Sequence, residues 1–320
     1  MERWRDRTRS GRRVMPGQHT SGPAPVPAEP GGPRYVADYL ERLGVGDPGG
    51  PSRSGLFALH RAHVERVPYE VLEIQLGRPT TADPRDAAGQ VLKGRGGYCV
   101  QLNGAFSTLL AALGYDVTWH RAGVHASRKL PPVGPAEPAP HLVLTVSVEG
   151  ESWMVDVGLG DGLHEPLPLR PGEYRQGPFA FRLGPSEFGP GCWRFEHDPG
   201  GAIAGLDFST APAGPADFAE WHPYLATDPE SRLVRTVAVM RRDATSVDSL
   251  TGCMLRHTGD SGGTTRELGT SEEWYGALAE VFGLPLADVG PQERTALWAK
   301  VRGAHEAWLD ARARRSAARA

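Results

Sequence analysis

The chain is poor in cysteine and carries little excess charge of either sign. Its 320 residues include three cysteines, Cys99, Cys192 and Cys253, which are too few and too far apart for a disulfide framework. The formal net charge of −3 argues against a basic surface for nucleic acid or an anionic membrane. No run approaches the ~20 apolar residues of a membrane span. We therefore expect no nucleic-acid or membrane partner, and a reducing cytoplasmic location as the default.

Metal ligands at useful spacing are also missing. The cysteines form no C-x-x-C pair, and the His60/His63 and His120/His125 pairs have no further ligands nearby in the sequence. We expect no bound metal. Glycine (41) and proline (29) are abundant, so we also expect many turns and loops.

Residues 1–33 differ in composition from the rest. Six arginines occur in the first thirteen positions, and a stretch rich in proline, glycine and alanine follows. No apolar segment comes after the basic residues, which argues against a secretory signal. We predict a disordered N-terminal extension; a true start at Met15 or later is the alternative.

The remaining sequence changes character twice. Residues 34–115 contain apolar residues at helical spacing, a helix over 54–67 that ends before Pro68, and a helix beginning at Cys99. Residues 116–214 consist of short alternating segments between glycine and proline turns, which predicts an antiparallel β-barrel. Residues 215–301 are mixed, with a strand over 234–239 and helices over 272–282 and 293–309. We interpret residues 302–320 as a helix end or tail.

Cys99 follows a Gly96-Gly97 turn and stands in the first turn of its helix, which is closed by Gly114. The unpaired N–H groups and positive dipole end of a helix favour a thiolate, the nucleophilic form of cysteine. The alternative is a buried structural cysteine.

Residues 141–157 read as a β-hairpin with Glu149-Gly150 as a two-residue turn. In that register one face is an apolar core face, and the other carries His141 and Asp156 as diagonal neighbours, roughly 7–8 Å apart at Cα. Taken alone, His141 could simply meet solvent and Asp156 could be an edge carboxylate. Together with Cys99 they match a cysteine-protease-like Cys-His-Asp site for acyl transfer.

Three segments carry a family resemblance. Residues 95–103 resemble the R-G-G-x-C-x-[EQ]-x-N signature of the arylamine N-acetyltransferases, with Arg95, Gly96, Gly97, Gln101 and Asn103 as supporting positions. Residues 141–146 and 155–160 are similar to the family's H-x-L-x-V and V-D-x-G-x-G segments. Further similarity occurs at 67–72, 217–219 and 227–231.

The resemblance implies an α+β fold of three parts: an N-terminal helical bundle, a central antiparallel β-barrel and a C-terminal α/β lid. It implies Cys99, His141 and Asp156 as the catalytic residues. The activity it implies is transfer of an acetyl or other acyl group to an arylamine or hydrazine by a ping-pong, acyl-cysteine mechanism. Acetyl-CoA or another acyl-CoA would be a co-substrate, with no bound cofactor and no partner beyond the small-molecule amine.

The sequence departs from the family pattern at Tyr69 and Leu159, where phenylalanine is common, and at Val71, where asparagine is usual. We predict Tyr69 and Leu159 to line the substrate pocket, which leaves an alternative open: an amide synthase that releases a polyketide chain from an acyl carrier protein as a macrolactam. A cysteine hydrolase and a catalytically silent homologue fit the motifs less well. The acceptor amine, the acyl length and the oligomeric state stay open.

Overall fold

The structure is a computed structural model and describes residues 32–138, 140–260 and 262–317. The predicted N-terminal extension lies outside the described residues, except for its last two positions, which begin the first helix. The predicted C-terminal helix end continues to Ala317.

Helices dominate the first third of the described chain. They are α1 Gly32–Leu43, α2 Arg53–Arg66, α3 Leu72–Leu76, α4 Pro84–Leu92 and α5 Cys99–Ala112, with the short strand β1 Tyr69–Glu70 after α2. The Ser52 hydroxyl caps α2 by accepting a hydrogen bond from Gly55 N. Gly114 has φ 86° directly after α5, in the left-handed conformation that glycine adopts without strain.

An antiparallel sheet of eight strands forms the centre of the fold. Its strands are β2 Asp116–His125, β3 His141–Val148, β4 Glu151–Val155, β5 Leu167–Pro168, β6 Gly172–Gln176, β7 Phe179–Pro185, β8 Cys192–Glu196 and β9 Gly205–Ser209. The strand order is β5-β4-β3-β2-β9-β8-β7-β6, so the two edge strands are consecutive in sequence. The sheet therefore curls into a nearly closed barrel, as expected from the sequence.

The hairpin of β3 and β4 has the predicted register. Glu149 (φ 52°) and Gly150 (φ 78°) both have the positive φ of a type I′ turn, and Val148 faces Glu151. Both faces of the hairpin are buried. Val143 and Met154, on the face opposite the helices, lie in the core of the barrel.

A second, five-stranded sheet follows. It has the order β1-β10-β11-β12-β13, with β10 Ala238–Arg242, β11 Ser246–Thr251, β12 Met254–Gly259 and β13 Gly262–Glu267. The helices α6 Ala216–Ala219, α7 His222–Thr227 and α8 Arg232–Arg235 precede β10, and α9 Ser271–Glu280 and α10 Pro291–Ala317 follow β13. The strand predicted over 234–239 is partly wrong, because the Ser231 hydroxyl caps α8 by accepting from Leu233 N and the strand begins at Ala238.

Apolar side chains collect in three cores. One packs the early helices against β3 and β4, one fills the barrel, and one surrounds the buried Trp274 of α9. In the described ranges, no helix is both long enough and apolar enough to cross a membrane.

Two histidines of α2, His60 and His63, are fully buried beside Phe106. His60 Nδ1 lies 3.0 Å from the His164 carbonyl oxygen, and His63 Nε2 lies 3.1 Å from the Tyr39 hydroxyl. Burial lowers the pKa of His60 to about 4 and that of His63 to about 3. Both rings are therefore neutral in the folded protein at neutral pH.

We expect the free energy of unfolding to fall as the pH drops below about 6.5. Below that pH, His60 and His63 bind protons in the unfolded chain but stay neutral in the folded protein. Each histidine contributes a slope of about 1.4 kcal/mol per pH unit until the pH reaches its folded pKa. Urea unfolding between pH 7.5 and 5 should show this decrease in the free energy of unfolding. In His63→Phe, roughly half of the pH dependence that the two histidines cause should be absent. Equal slopes in the two proteins would contradict the assignment.

Candidate functional site

The loop before Cys99 is fixed by two close approaches of its backbone. A Cβ on Gly96 would lie 1.9 Å from the Pro68 carbonyl oxygen, and one on Gly97 would lie 2.7 Å from Gln101 Oε1. Glu70 N donates to the Gly97 carbonyl at 3.0 Å. Gly96 is therefore needed for the loop to pass against the segment around β1, and Gly97 leaves room for the Gln101 side chain.

Arg95 anchors the same loop through ion pairs. Its buried guanidinium contacts Glu73 at 2.7 Å, Glu70 at 3.4 Å and Asp288 at 3.5 Å. Glu70 Oε1 also accepts a hydrogen bond from Gly96 N. Arg95 thus joins the loop to β1, to α3 and to the segment that precedes α10.

Gln101 holds the first turn of α5. Its Oε1 accepts from Tyr98 N at 3.2 Å, and its Nε2 donates to the Thr80 hydroxyl at 2.7 Å and the Thr81 carbonyl at 2.8 Å. The Tyr98 hydroxyl lies 2.8 Å from His222 Nδ1. Tyr98, directly before the predicted nucleophile, and Gln101, two positions after it, are therefore held in place, which limits the motion of Cys99 itself.

The structure brings His141 and Asp156 into direct contact. His141 Nε2 lies 2.6 Å from Asp156 Oδ2, and the two residues are only 4% and 1% exposed. Cys99 lies close enough to the same imidazole to favour its protonated form. Burial alone would lower the pKa of His141, but Asp156 and Cys99 together outweigh it and raise the pKa to about 10. The ring therefore holds a proton at neutral pH.

Asn103 connects the helix to both strands, and residue patterns alone gave it no role beyond supporting the motif. Its Nδ2 donates to Asp156 Oδ1 at 2.8 Å and to the Leu142 carbonyl at 2.7 Å, and its Oδ1 accepts from Val157 N at 2.9 Å. Asn103 lies four positions after Cys99, so the two share one helix face. This spacing was the feature of the sequence that could have indicated a role for Asn103 in the site.

The segment after Asp156 packs directly on the cysteine. A Cβ on Gly158 would lie 2.8 Å from both Cys99 Cα and the Cys99 carbonyl oxygen. Gly158 N donates to Asp156 Oδ1 at 2.9 Å, which adds a further bond to the carboxylate. Cys99 itself is half-buried.

The two predicted pocket residues lie in different surroundings. Tyr69 is in β1 opposite Met240, and burial, followed by the nearby Cys99, raises the pKa of its hydroxyl. With Met240 it borders a space of about 10 Å³ beside Asp156, room for about one water. Leu159 packs in the core of the barrel, against Gly162.

A cleft of about 560 Å³ opens next to these residues, between the barrel and the second sheet. Met240 lines the cleft and also the small space beside Tyr69, and Asp161, His197 and Arg232 lie along its wall. A cleft of this volume could hold a small molecule. Across the described parts of the chain, no group of three or more His, Cys, Asp or Glu side chains could hold a metal ion.

The chain is similar to a known family of proteins. The family model for N-acetyltransferases matches residues 54–289. The arylamine N-acetyltransferase of Mycobacterium tuberculosis is 31% identical over 272 residues, which is 82% of this chain and 93% of that protein. The proansamycin X synthase of Amycolatopsis mediterranei is 31% identical over 159 residues, 48% of this chain and 60% of the synthase.

A solved structure agrees with the fold. The arylamine N-acetyltransferase of Mycobacterium marinum in complex with CoA superposes with a TM-score of 0.73 at 26% identity, covering 83% of this chain and 98% of that one. The mixed α+β architecture with its nearly closed barrel is therefore shared.

Gly96→Ala should lower the free energy of unfolding by at least about 2 kcal/mol, because a methyl group cannot occupy the space next to the Pro68 carbonyl. It should also slow alkylation of Cys99 by iodoacetamide, since the loop must move. Gly89→Ala is the matched control: it lies in α4 with no atom within 4 Å of the added carbon. The control should keep its thiol reactivity and gain up to about 1 kcal/mol. Equal effects of both changes would contradict this account.

Proposed function

The chain belongs to the arylamine N-acetyltransferase family and is an enzyme, and we propose that it transfers an acyl group from a CoA thioester to an arylamine or hydrazine through an acyl-cysteine intermediate. The observation that carries this proposal is the contact of the buried His141 with Asp156, with the half-buried Cys99 in range of the same ring. A protonated imidazole beside a thiol favours the thiolate. The M. marinum relative bound to CoA supports CoA as the carrier of the acyl group.

In the first half-reaction the Cys99 sulfur attacks the thioester carbonyl carbon. A bond forms between this carbon and the Cys99 sulfur, and the bond to the CoA sulfur breaks. The departing thiolate takes the proton held by His141. This leaves a neutral imidazole beside an acyl-cysteine, which is the state that the second half-reaction needs.

In the second half-reaction the amine nitrogen attacks the acyl-cysteine. The carbon–nitrogen bond forms, the carbon–sulfur bond to Cys99 breaks, and His141 takes the proton from the amine. The ion pair of thiolate and imidazolium is thereby restored. Asp156 stabilises the charged ring and fixes which nitrogen faces the sulfur, and Asn103 holds Asp156.

The amide synthase stays the second candidate, and it rests on the proansamycin X synthase relative. The same cysteine chemistry would apply, with a carrier-bound chain as donor and an amine of that chain as nucleophile.

We also propose a reducing, cytoplasmic setting, since Cys99, Cys192 and Cys253 are all free thiols in the structure.

Incubation with acetyl-CoA and no amine should add one acetyl group to the protein, detected by intact-mass spectrometry. The adduct should be absent in Cys99→Ala and unchanged in Cys192→Ala, which removes the other half-buried thiol. Addition of an aniline should discharge it as the anilide. Release of free acid without any amine would instead indicate a hydrolase, and acylation by a carrier-bound chain but not by acetyl-CoA would indicate the amide synthase.

Asp156→Asn should shift the pH dependence of Cys99 acylation. In the unaltered protein the His141 proton is lost only as the pH rises through about 10, so acylation should be sustained until then. Without the carboxylate, burial dominates and lowers the His141 pKa, so the alkaline fall should begin at lower pH. The measurement is the rate of Cys99 acetylation by acetyl-CoA from pH 6 to 10.5, because the departing CoA thiolate needs the His141 proton, and an unmoved alkaline limb would refute the assigned cause.

A further inference from the structure

A second cavity, which we call the α10 cavity, adjoins the cleft described above and shares Arg232, Thr251, Met254 and Trp308 with it. It has a volume of about 580 Å³ and lies between α8, the turn that joins β11 to β12, and one side of α10. Its apolar lining comes from Val234, Val237, Met254, Val301, Ala304 and Trp308. A cavity of this size with mainly aliphatic walls suits a small molecule with an apolar body.

The charges around the α10 cavity all have one sign. Arg232, Arg235 and Lys300 line it, and no aspartate or glutamate does. Side chains of this kind usually meet a carboxylate when they converge, because like charges repel each other at short range. The cavity therefore presents an excess of positive charge beside an apolar surface.

These cations have little compensation from the described residues. Arg235 approaches Glu230 only at 4.0 Å, and both side chains are exposed, so that pair is weak. Lys300 Nζ donates to the Gln75 carbonyl oxygen at 3.0 Å, which accepts a hydrogen bond without neutralising the charge. No described carboxylate pairs with Arg232. All three side chains are exposed, and each keeps N–H donors that an anionic group could reach.

We propose that the α10 cavity binds a small anionic amphiphile, namely an aliphatic carboxylate of medium chain length. Its chain would lie against the apolar residues and its carboxylate would meet the cations. Arg232 also lines the cleft that reaches Met240 beside Tyr69, so the ligand would neutralise a charge shared with the cleft. This proposal concerns binding and does not depend on the acyltransferase reaction.

The composition of the walls favours this ligand over the simpler ones. An inorganic anion would leave the exposed apolar surface of Ala304 and Trp308 facing water, whereas a neutral alkane would gain nothing from the three exposed cations. An alkyl carboxylate covers the apolar surface with its chain and pairs with the cations through its carboxylate. A cationic amphiphile of the same length meets only repulsion.

The test is isothermal titration of the full chain with decanoate below its micelle concentration, with circular dichroism to verify that the fold persists. We expect binding of one molecule, at least tenfold weaker binding of decanol and no binding of decyltrimethylammonium. Arg235→Gln and Lys300→Met should each weaken decanoate about tenfold, the equivalent of about 1.4 kcal/mol. Ala304→Trp should abolish binding by filling the apolar part.

Two exposed positions of the same helix supply matched controls. Ala307→Trp adds the same side chain, and Arg315→Gln removes the same charge, at sites that do not line the cavity. Both should leave the decanoate affinity unchanged. The proposal is overturned if decanoate does not bind, if decanol binds as tightly, or if Ala304→Trp binds decanoate as the unaltered chain does.

Discussion

The buried carboxylate of Asp156 is the group around which the rest of the site is arranged. A charge that is 1% exposed is costly unless it is fully hydrogen-bonded. Here His141, the Asn103 amide and Gly158 N all donate to it. Each donor comes from a different segment, so satisfying this one charge brings together a strand, a helix and a loop. The cost of burial is offset only in the arrangement that also places His141 beside Cys99.

The sequence predicted the parts of this arrangement that follow from local rules. The Glu149-Gly150 turn fixes the hairpin register, and the register alone puts His141 and Asp156 near each other. The start of α5 at Cys99 follows from glycines before it and apolar periodicity after it. These signals are short-range, and the structure agrees with them.

What the sequence did not predict depends on contacts between distant segments. The bond of Asn103 to Asp156 spans 53 positions, and no periodicity reports such a partner. The burial of both hairpin faces likewise depends on how the barrel curls around Val143 and Met154. The hairpin of β12 and β13 escaped notice because β13 is exposed and rich in glycine and threonine, without apolar alternation.

The anchoring of Arg95 has a consequence for behaviour in concentrated electrolyte. Its inner contact, Glu70, is 2% exposed, whereas its outer contact, Asp288, is 53% exposed. Dissolved ions weaken attraction between exposed charges far more than between buried ones. Raising the ionic strength would therefore weaken the contact of Arg95 with Asp288, in the segment before α10, first. The contact of Arg95 with Glu70 would persist and keep the loop before Cys99 in place. Arg95 thus combines a buried ion pair that resists salt with an exposed ion pair that is sensitive to salt.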